Sequence, residues 1–427
     1  MTHLPDLDYA RSLDGRDPLA SFRNRFNIPV RDGSPVVYFM GNSLGLQPKN
    51  INDYLDEVNA DWANLGVEGH TKAAHPWMSY HRRVSASLAS LVGARSFEVV
   101  AANSLSVNLH LMLASFWRPA GKRVKLIMEA GAFPSDQYAV EMQARIHGLD
   151  PKEAIIEIAP RPGETLLRTE DIEAAIKEAG DTLALALFSG IQYYTGQILP
   201  MEQIVKASHA VGAYAGFDLA HAVGNIPLQL HEIGADFAVW CSYKYLNSSP
   251  GGIGGLFVHE RHAADYSIPR MAGWWGHSEA ERFKMEPGFK PMFGAEGWQL
   301  SNPPVMLLAA HKASLDLFDE AGVGALHVKA KALQSYLDFI LAGIDGVMVI
   351  TPAQECGCQR SMIIKGGKKV FNYLIDNGII CDWREPEVSR VAPVPLYNSF
   401  EDIWRFGEVL KQGIVAAEYE TALAEKN

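Results

Sequence analysis

Asp218-Leu-Ala-His221, then Trp240-Cys-Ser-Tyr-Lys-Tyr-Leu-Asn247 and the glycine-rich 250–255, form the stretch on which the reading of this chain turns. The first two segments each set polar side chains at the end of an apolar, β-rich run, 214–219 and 237–241. The interval between Asp218 and Lys244 is long enough for one strand-to-strand crossover. In open α/β sheets ligands bind in the crevice beyond the carboxyl ends of the strands, so these side chains are expected to converge there.

Outward from that stretch the same pattern repeats. Residues 124–129, 154–158 and 183–188 also read as strands, nearly continuous in apolar residues, as parallel strands covered on both faces are. Helical spacing separates them: Tyr138, Val140, Met142 and Ile146 after Ser135, and Ile204, Val205 and His209 after Pro200, which suits a helix start. The alternation predicts an α/β fold with a mainly parallel central sheet flanked by helices. Ile51, Tyr54, Leu55, Val58 and Trp62 give one apolar stripe, expected to face the core. A long helix is expected over 303–318, and beyond it mixed signals at 347–350 and 370–377 break the alternation. The expected division is a 1–45 arm associated with a small α+β domain at 311–427, and a large domain at 46–310.

The 427 residues carry a formal charge of −11, spread along the chain rather than gathered in a tail. That argues against a surface built to neutralise nucleic-acid phosphates and leaves a small molecule as the expected partner. Residues 1–20 hold Asp6, Asp8, Asp14 and Asp17 with no apolar run, and no stretch is long and apolar enough for a membrane span, so a cytoplasmic protein is expected. Cys241, Cys356, Cys358 and Cys381 are expected to be reduced thiols, and no spacing suggests a metal site.

A lysine amine and an acid, each at the end of an apolar strand, suit pyridoxal phosphate (PLP). Its aldehyde needs an amine, and its pyridine nitrogen needs an acid to stay protonated and keep the ring a strong electron acceptor. Lys244 and Asp218 fit these roles. Taken singly, Lys244 reads as a surface lysine and Asp218 as a helix cap; their combination with the glycine-rich turn favours the cofactor. Asn103-Ser-Leu-Ser-Val-Asn108 opens a helical run, where Ser106 and the amide of Leu105 could hold a phosphate, or where a serine simply caps a helix. Phe133, in Ala132-Phe-Pro-Ser-Asp136, follows a strand and either stacks over the crevice or packs in the core.

With these segments in view the chain closely resembles kynureninase, a fold-type-I PLP enzyme, through nearly its whole length. The carriers are Tyr38-Phe-Met-Gly-Asn-Ser-Leu-Gly-Leu-Gln-Pro48, Val67-Glu-Gly-His-Thr71, Phe133-Pro-Ser-Asp136, Asp218-Leu-Ala-His221, Tyr243-Lys244, Gly273-Trp274, Ser301-Asn302-Pro-Pro304 and Arg390-Val-Ala-Pro-Val-Pro-Leu-Tyr397. The resemblance implies hydrolysis of kynurenine or 3-hydroxykynurenine to anthranilate, or its 3-hydroxy form, and alanine. It implies that Lys244 bears the cofactor, that Asp218 pairs with the pyridine nitrogen, and that Phe133 and His221 line the ring. Leu105, Ser106, Asp136, Ser189 and Tyr243 join the cofactor pocket, as does Ser43 in the first motif, and Tyr243 is the candidate proton donor. Trp274 and Asn302 are expected at the cofactor across a dimer interface, so a homodimer is implied.

Arg390 matches the family's arginine for the substrate carboxylate, although alone it reads as an ion-pair partner. His70, Ser301 and Asn302 would make the aryl end of the pocket polar; otherwise His70 only satisfies a backbone carbonyl and Asn302 only reaches the phosphate. The competing activities are a cysteine desulfurase, which needs an exposed low-pKa cysteine, a class V aminotransferase, or a PLP-fold protein that binds without turnover.

Overall fold

The computed structural model describes residues 3–424. The chain divides into two compact units: Ile51–Tyr193 with Ile198–Asp316, and Met1–Asn50 with Tyr194–Gln197 and Leu317–Asn427. The expected breaks fell after residues 45 and 310. Nothing in the sequence suggested that 194–197 would join the second of these units. Among the described residues no helix is long and apolar enough to cross a membrane.

The first unit is built on seven strands: β1 (Val99–Ala101), β2 (Lys125–Glu129), β3 (Ile155–Ile158), β4 (Leu183–Ser189), β5 (Tyr214–Asp218), β6 (Phe237–Cys241) and β7 (Gly254–Val258). Their order across the sheet is β1-β7-β6-β5-β4-β2-β3. Neighbours from β6 to β3 pair in parallel, while β7 pairs antiparallel with both β6 and β1. The sheet is therefore mainly parallel, with one reversed strand. Five of the seven were read from apolar runs. β1 is only three residues long, and β7 is hidden in a glycine-rich segment that reads as a turn.

Those glycines have a packing reason. A Cβ on Gly255 would stand 2.2 Å from the Trp240 indole on the adjacent strand, and one on Gly254 would stand 2.9 Å from the Ser104 carbonyl carbon. Only glycine lets β7 pass this close to a neighbouring side chain and backbone.

Helix α1 (Ile51–Leu65) precedes the sheet, and α2 (Leu105–Phe116), α3 (Pro134–Ile146) and α4 (Met201–Ala210) pack against its strands. Leu109, Met112, Leu113 and Phe116 of α2 are fully or almost fully buried and join Val239, Leu256 and Trp298 in the main core. Truncating one such leucine to alanine costs about 2–5 kcal/mol. In α1 the stripe faces inward only in part: Ile51 and Val58 are buried, but Trp62 is 64% exposed. The expectation that Trp62 belongs to the core is corrected, because at the end of the stripe the indole lies beyond the packed face. The long helix expected over 303–318 is α5 (Val305–Ala321).

The second unit has its own core, in which Leu333, Leu337 and Ile340 of α6 (Val323–Ala342) meet Phe406 and Leu410 of α7 (Phe400–Ala424). Four antiparallel strands complete it: β8 (Val347–Val349), β9 (Arg360–Ile364), β10 (Asp382–Arg384) and β11 (Val388–Val391). Residues near the N-terminus are built in, since Val37–Tyr38 pairs in parallel with Ile379–Ile380. The segment around 370–377 is helix, Gly367–Asp376.

Candidate active site

Three acids or hydroxyls end three adjacent parallel strands: Glu129 on β2, Ser189 on β4 and Asp218 on β5. Above them lies a cavity of about 230 Å³. Leu105, Ser106, Phe133, Asp136, Ser189, Asp218, His221, Tyr243 and Lys244 all line it. Four further lining residues, Ser135, Ile191, Tyr193 and Ala220, were not singled out in the sequence. Each lies in a loop or first helical turn just past a strand's carboxyl end, the signal that could have found it.

Local structure explains how these side chains are delivered. Asn103 turns the chain through a left-handed conformation (φ 52°), which asparagine tolerates better than most residues, and its amide bonds the Asn108 Oδ1 at 2.8 Å. This aims the first turn of α2 at the cavity. Ser104 stands at the N-cap but its hydroxyl makes no cap bond, so the helix N-terminus keeps amide donors for an anion. Pro134 starts α3, leaving Phe133 at the cap position and Asp136 in the first turn. The Phe133 ring lies 5.8 Å from Lys244 Nζ and edge-on to Tyr193 at 5.2 Å.

The electrostatics are dominated by acid. Burial pushes the Asp218 carboxyl up, against an opposing hydrogen bond from the Ala220 amide and the charge of Lys244. Asp136 is held well above the usual carboxylate range by burial and by the charge of Asp218. The pair is best described as one shared proton, with Asp136 donating to Asp218. Burial likewise raises Glu129, to about 7. A cationic ring at this place would relieve the cluster, and Lys244 supplies an amine beside it. With the amide donors of α2 for a phosphate, this donor set fits PLP. Burial, and then the Cys241 thiol, keep the Tyr243 hydroxyl in its neutral form.

The remaining candidates are not among the residues that line this cavity. Trp274 is 38% exposed and meets Phe283 edge-on. Ser301 and Asn302 are exposed, and His70 is half-buried with its ring edge-on to Trp77. Ser43 is half-buried, and its amide bonds the Met40 carbonyl. Arg390 is buried and ion-paired with Asp382, which also holds Arg384 at 3.1 Å.

Among the described residues, Glu98, His231 and His259 have the spacing of metal ligands, which no sequence motif signalled. Their atoms are committed: Glu98 accepts from the amides of Arg95 and Glu260, and His259 Nδ1 accepts from the Arg261 amide.

Residues 326–410 match the family model described as the kynureninase C-terminal domain. A kynureninase of Flavobacterium psychrophilum is 51% identical over 417 residues, 96% of this chain and 98% of the relative. One of Myxococcus xanthus is 52% identical over 409 residues, 94% and 96% of the two chains. Among solved structures, a C-DES mutant with glycine covalently linked to its PLP cofactor superposes with a TM-score of 0.76 at 15% identity, covering 88% of this chain and 96% of that one. The cysteine desulfurase CsdA of Escherichia coli gives a TM-score of 0.74, also at 15% identity, covering 94% and 98%. These two share the fold-type-I architecture. The near full-length identity to the first two relatives carries more, and on it the chain belongs to the kynureninase family.

Proposed function

We propose that the chain hydrolyses the Cβ–Cγ bond of L-kynurenine, or its 3-hydroxy form, to anthranilate, or its 3-hydroxy form, and L-alanine, with PLP carried on Lys244. The observation that carries this is the meeting of Lys244, Asp218, Phe133 and the α2 N-terminus in one cavity. When bound, PLP supplies an aldehyde for the substrate amine and a ring that accepts electrons. Asp218, with Asp136 behind it, keeps negative charge beside the ring. Lys244 Nζ, freed when the substrate amine takes its place, removes the Cα proton. Water gives its hydroxyl to the γ-carbonyl carbon, which leaves as the anthranilate carboxylate. Tyr243, neutral at physiological pH, supplies the proton that Cβ gains as alanine forms. Arg390 holds the substrate carboxylate, with Asp382 fixing its guanidinium.

The desulfurase alternative needs an accessible thiolate. Cys241, Cys356, Cys358 and Cys381 are all buried, and burial pushes Cys358 and Cys381 up to about 12. A class V aminotransferase would yield a keto acid and a non-catalytic binder no product, so detection of fluorescent anthranilate separates these readings. Borohydride reduction followed by peptide mapping tests the attachment; an adduct away from Lys244, or none, defeats the reading.

The enzyme is a cytoplasmic homodimer in this reading. Trp274 and Asn302 lie outside their own chain's cavity lining and are solvent-accessible, and Trp274 stands beside the exposed apolar side chains Phe283 (61%) and Met285 (70%), as a residue destined for a second copy would. Mixing inactive Lys244→Ala with inactive Trp274→Ala subunits should restore activity through hybrid sites. Failure of exchanged hybrids to gain activity would exclude shared sites. His70, Ser301 and Asn302 make the aryl end polar and favour 3-hydroxykynurenine. A kcat/KM ratio for the two substrates that is unmoved by His70→Phe would remove that assignment.

A further inference from the structure

Behind the pocket wall lies an acid to which the mechanism gives no task. Glu129 ends β2 and is 1% exposed. Its Oε1 stands 2.5 Å from Ser189 Oγ, and both its carboxylate oxygens lie 3.2 Å from the Ser189 amide nitrogen. Ser189 in turn faces the cavity. A hydroxyl has one hydrogen and two lone pairs. While Glu129 is ionised it takes that hydrogen, and Ser189 Oγ offers only lone pairs to the pocket. When Glu129 is protonated it donates to Oγ, and the hydroxyl hydrogen turns to the pocket instead.

We propose that Glu129 is a positioning residue of the active site, setting through Ser189 Oγ whether the pocket wall accepts a hydrogen bond from the bound cofactor or donates one to it. The inference rests on the PLP reading above. Two other acids share the space, Asp218 from β5 and Asp136 from α3, and Lys244 is the cation acting on Asp218. Burial raises Glu129 and the Ser189 bonds lower it, leaving it near 7 in the cofactor-free chain, where both arrangements of the pair are populated near neutral pH; a cationic ring would favour the ionised one. Glu129 thereby links the protonation of the acid cluster to the polarity of one wall of the pocket.

The test is a pH titration of the visible absorbance of the PLP-reconstituted protein in four forms: wild type, Glu129→Gln, Ser189→Ala and the double variant. The glutamine amide donates to Oγ at every pH, so Glu129→Gln should move the titration by about one pH unit and lower kcat about tenfold with KM little changed. Ser189→Ala should also move it, and adding Glu129→Gln to Ser189→Ala should move it no further. A Glu129→Gln shift that survives in the Ser189→Ala background would overturn the proposal, because Glu129 would then act by charge alone. An unchanged titration in Ser189→Ala overturns it too, even if Glu129→Gln does not fold. A wild type that develops no visible band sinks the PLP reading along with the inference; a normal band indifferent to every substitution sinks the inference alone.

Discussion

Two buried carboxylate sites occupy opposite ends of the same sheet and have opposite electrostatics. At the amino end, Asp236 immediately precedes β6 and accepts from His209 Nε2 (2.9 Å), His262 Nε2 (2.8 Å), Arg261 (3.1 Å) and the Ala215 amide (2.8 Å). Bonds from the two imidazoles outweigh burial and hold its carboxyl down to about 2. At the carboxyl end, burial raises Glu129, Asp136 and Asp218, and the charge of Asp218 raises the other two further; at Asp218 the Ala220 amide, Lys244 and the Asp136 hydrogen bond offset only part of the rise. The first site is complete within the chain and stabilises it. The second is destabilising by itself and suited to a cationic ligand, which is how functional sites differ from structural ones in a common fold.

The sharpest way to break this contrast is to neutralise each acid. Asp218→Asn should lower kcat/KM by about 10²- to 10⁴-fold, since the acid facing the ring is lost, while the cofactor-free protein unfolds at no lower urea concentration than wild type. Asp236→Asn should do the reverse. Leaving the buried His262 and the Arg261 guanidinium without their anion costs about 3–5 kcal/mol in urea unfolding, with kcat per folded molecule unchanged. If Asp218→Asn destabilises and Asp236→Asn inactivates, the division of labour between the two ends is wrong.

The same contrast appears as two limbs in a pH profile of the cofactor-free protein's stability. Asp236 titrates near 2 when folded against 3.8 ordinarily, so the unfolded chain binds more protons between these values. Its contribution is whole above pH 3.8 and is lost as pH falls toward 2. Glu129 titrates near 7 when folded against 4.5, so the folded chain binds more protons there. Its contribution is whole below pH 4.5 and is lost as pH rises toward 7, with Asp136 and Asp218 acting in the same direction. Asp236→Asn should flatten the lower limb and Glu129→Gln the upper one. Urea midpoints across pH that show a single acid limb, untouched by Glu129→Gln, would contradict the high proton affinity of the pocket cluster.

How much of this was legible in the sequence depends on which force decides each feature. Five strands were visible because a strand buried on both faces must be apolar throughout. β7 was not, because Gly254 and Gly255 answer to Trp240 and the start of α2, contacts that no local pattern encodes. Lys244 and Asp218 were legible because PLP chemistry demands their types at strand ends. Glu129 looked like an ordinary strand residue; its burial and its bond to Ser189 exist only once β2 and β4 lie side by side. The Asp236 node was invisible for the same reason, since its partners come from α4 and from the turn after β7.

Within that node the partners can be ranked. The His262 side chain is 8% exposed and His209 is 35% exposed, although their bonds to Asp236 are nearly equal in length. Water can replace much of what His209 gives, but at His262 a lost donor leaves a buried charge short of one bond. His262→Ala should therefore cost about 2 kcal/mol in urea unfolding and His209→Ala about 1 kcal/mol or less. Asp236 keeps its Ala215 and Arg261 donors in either variant. Equal losses would mean that the charge at the amino end of the sheet is held by the imidazoles through their number and not through their burial.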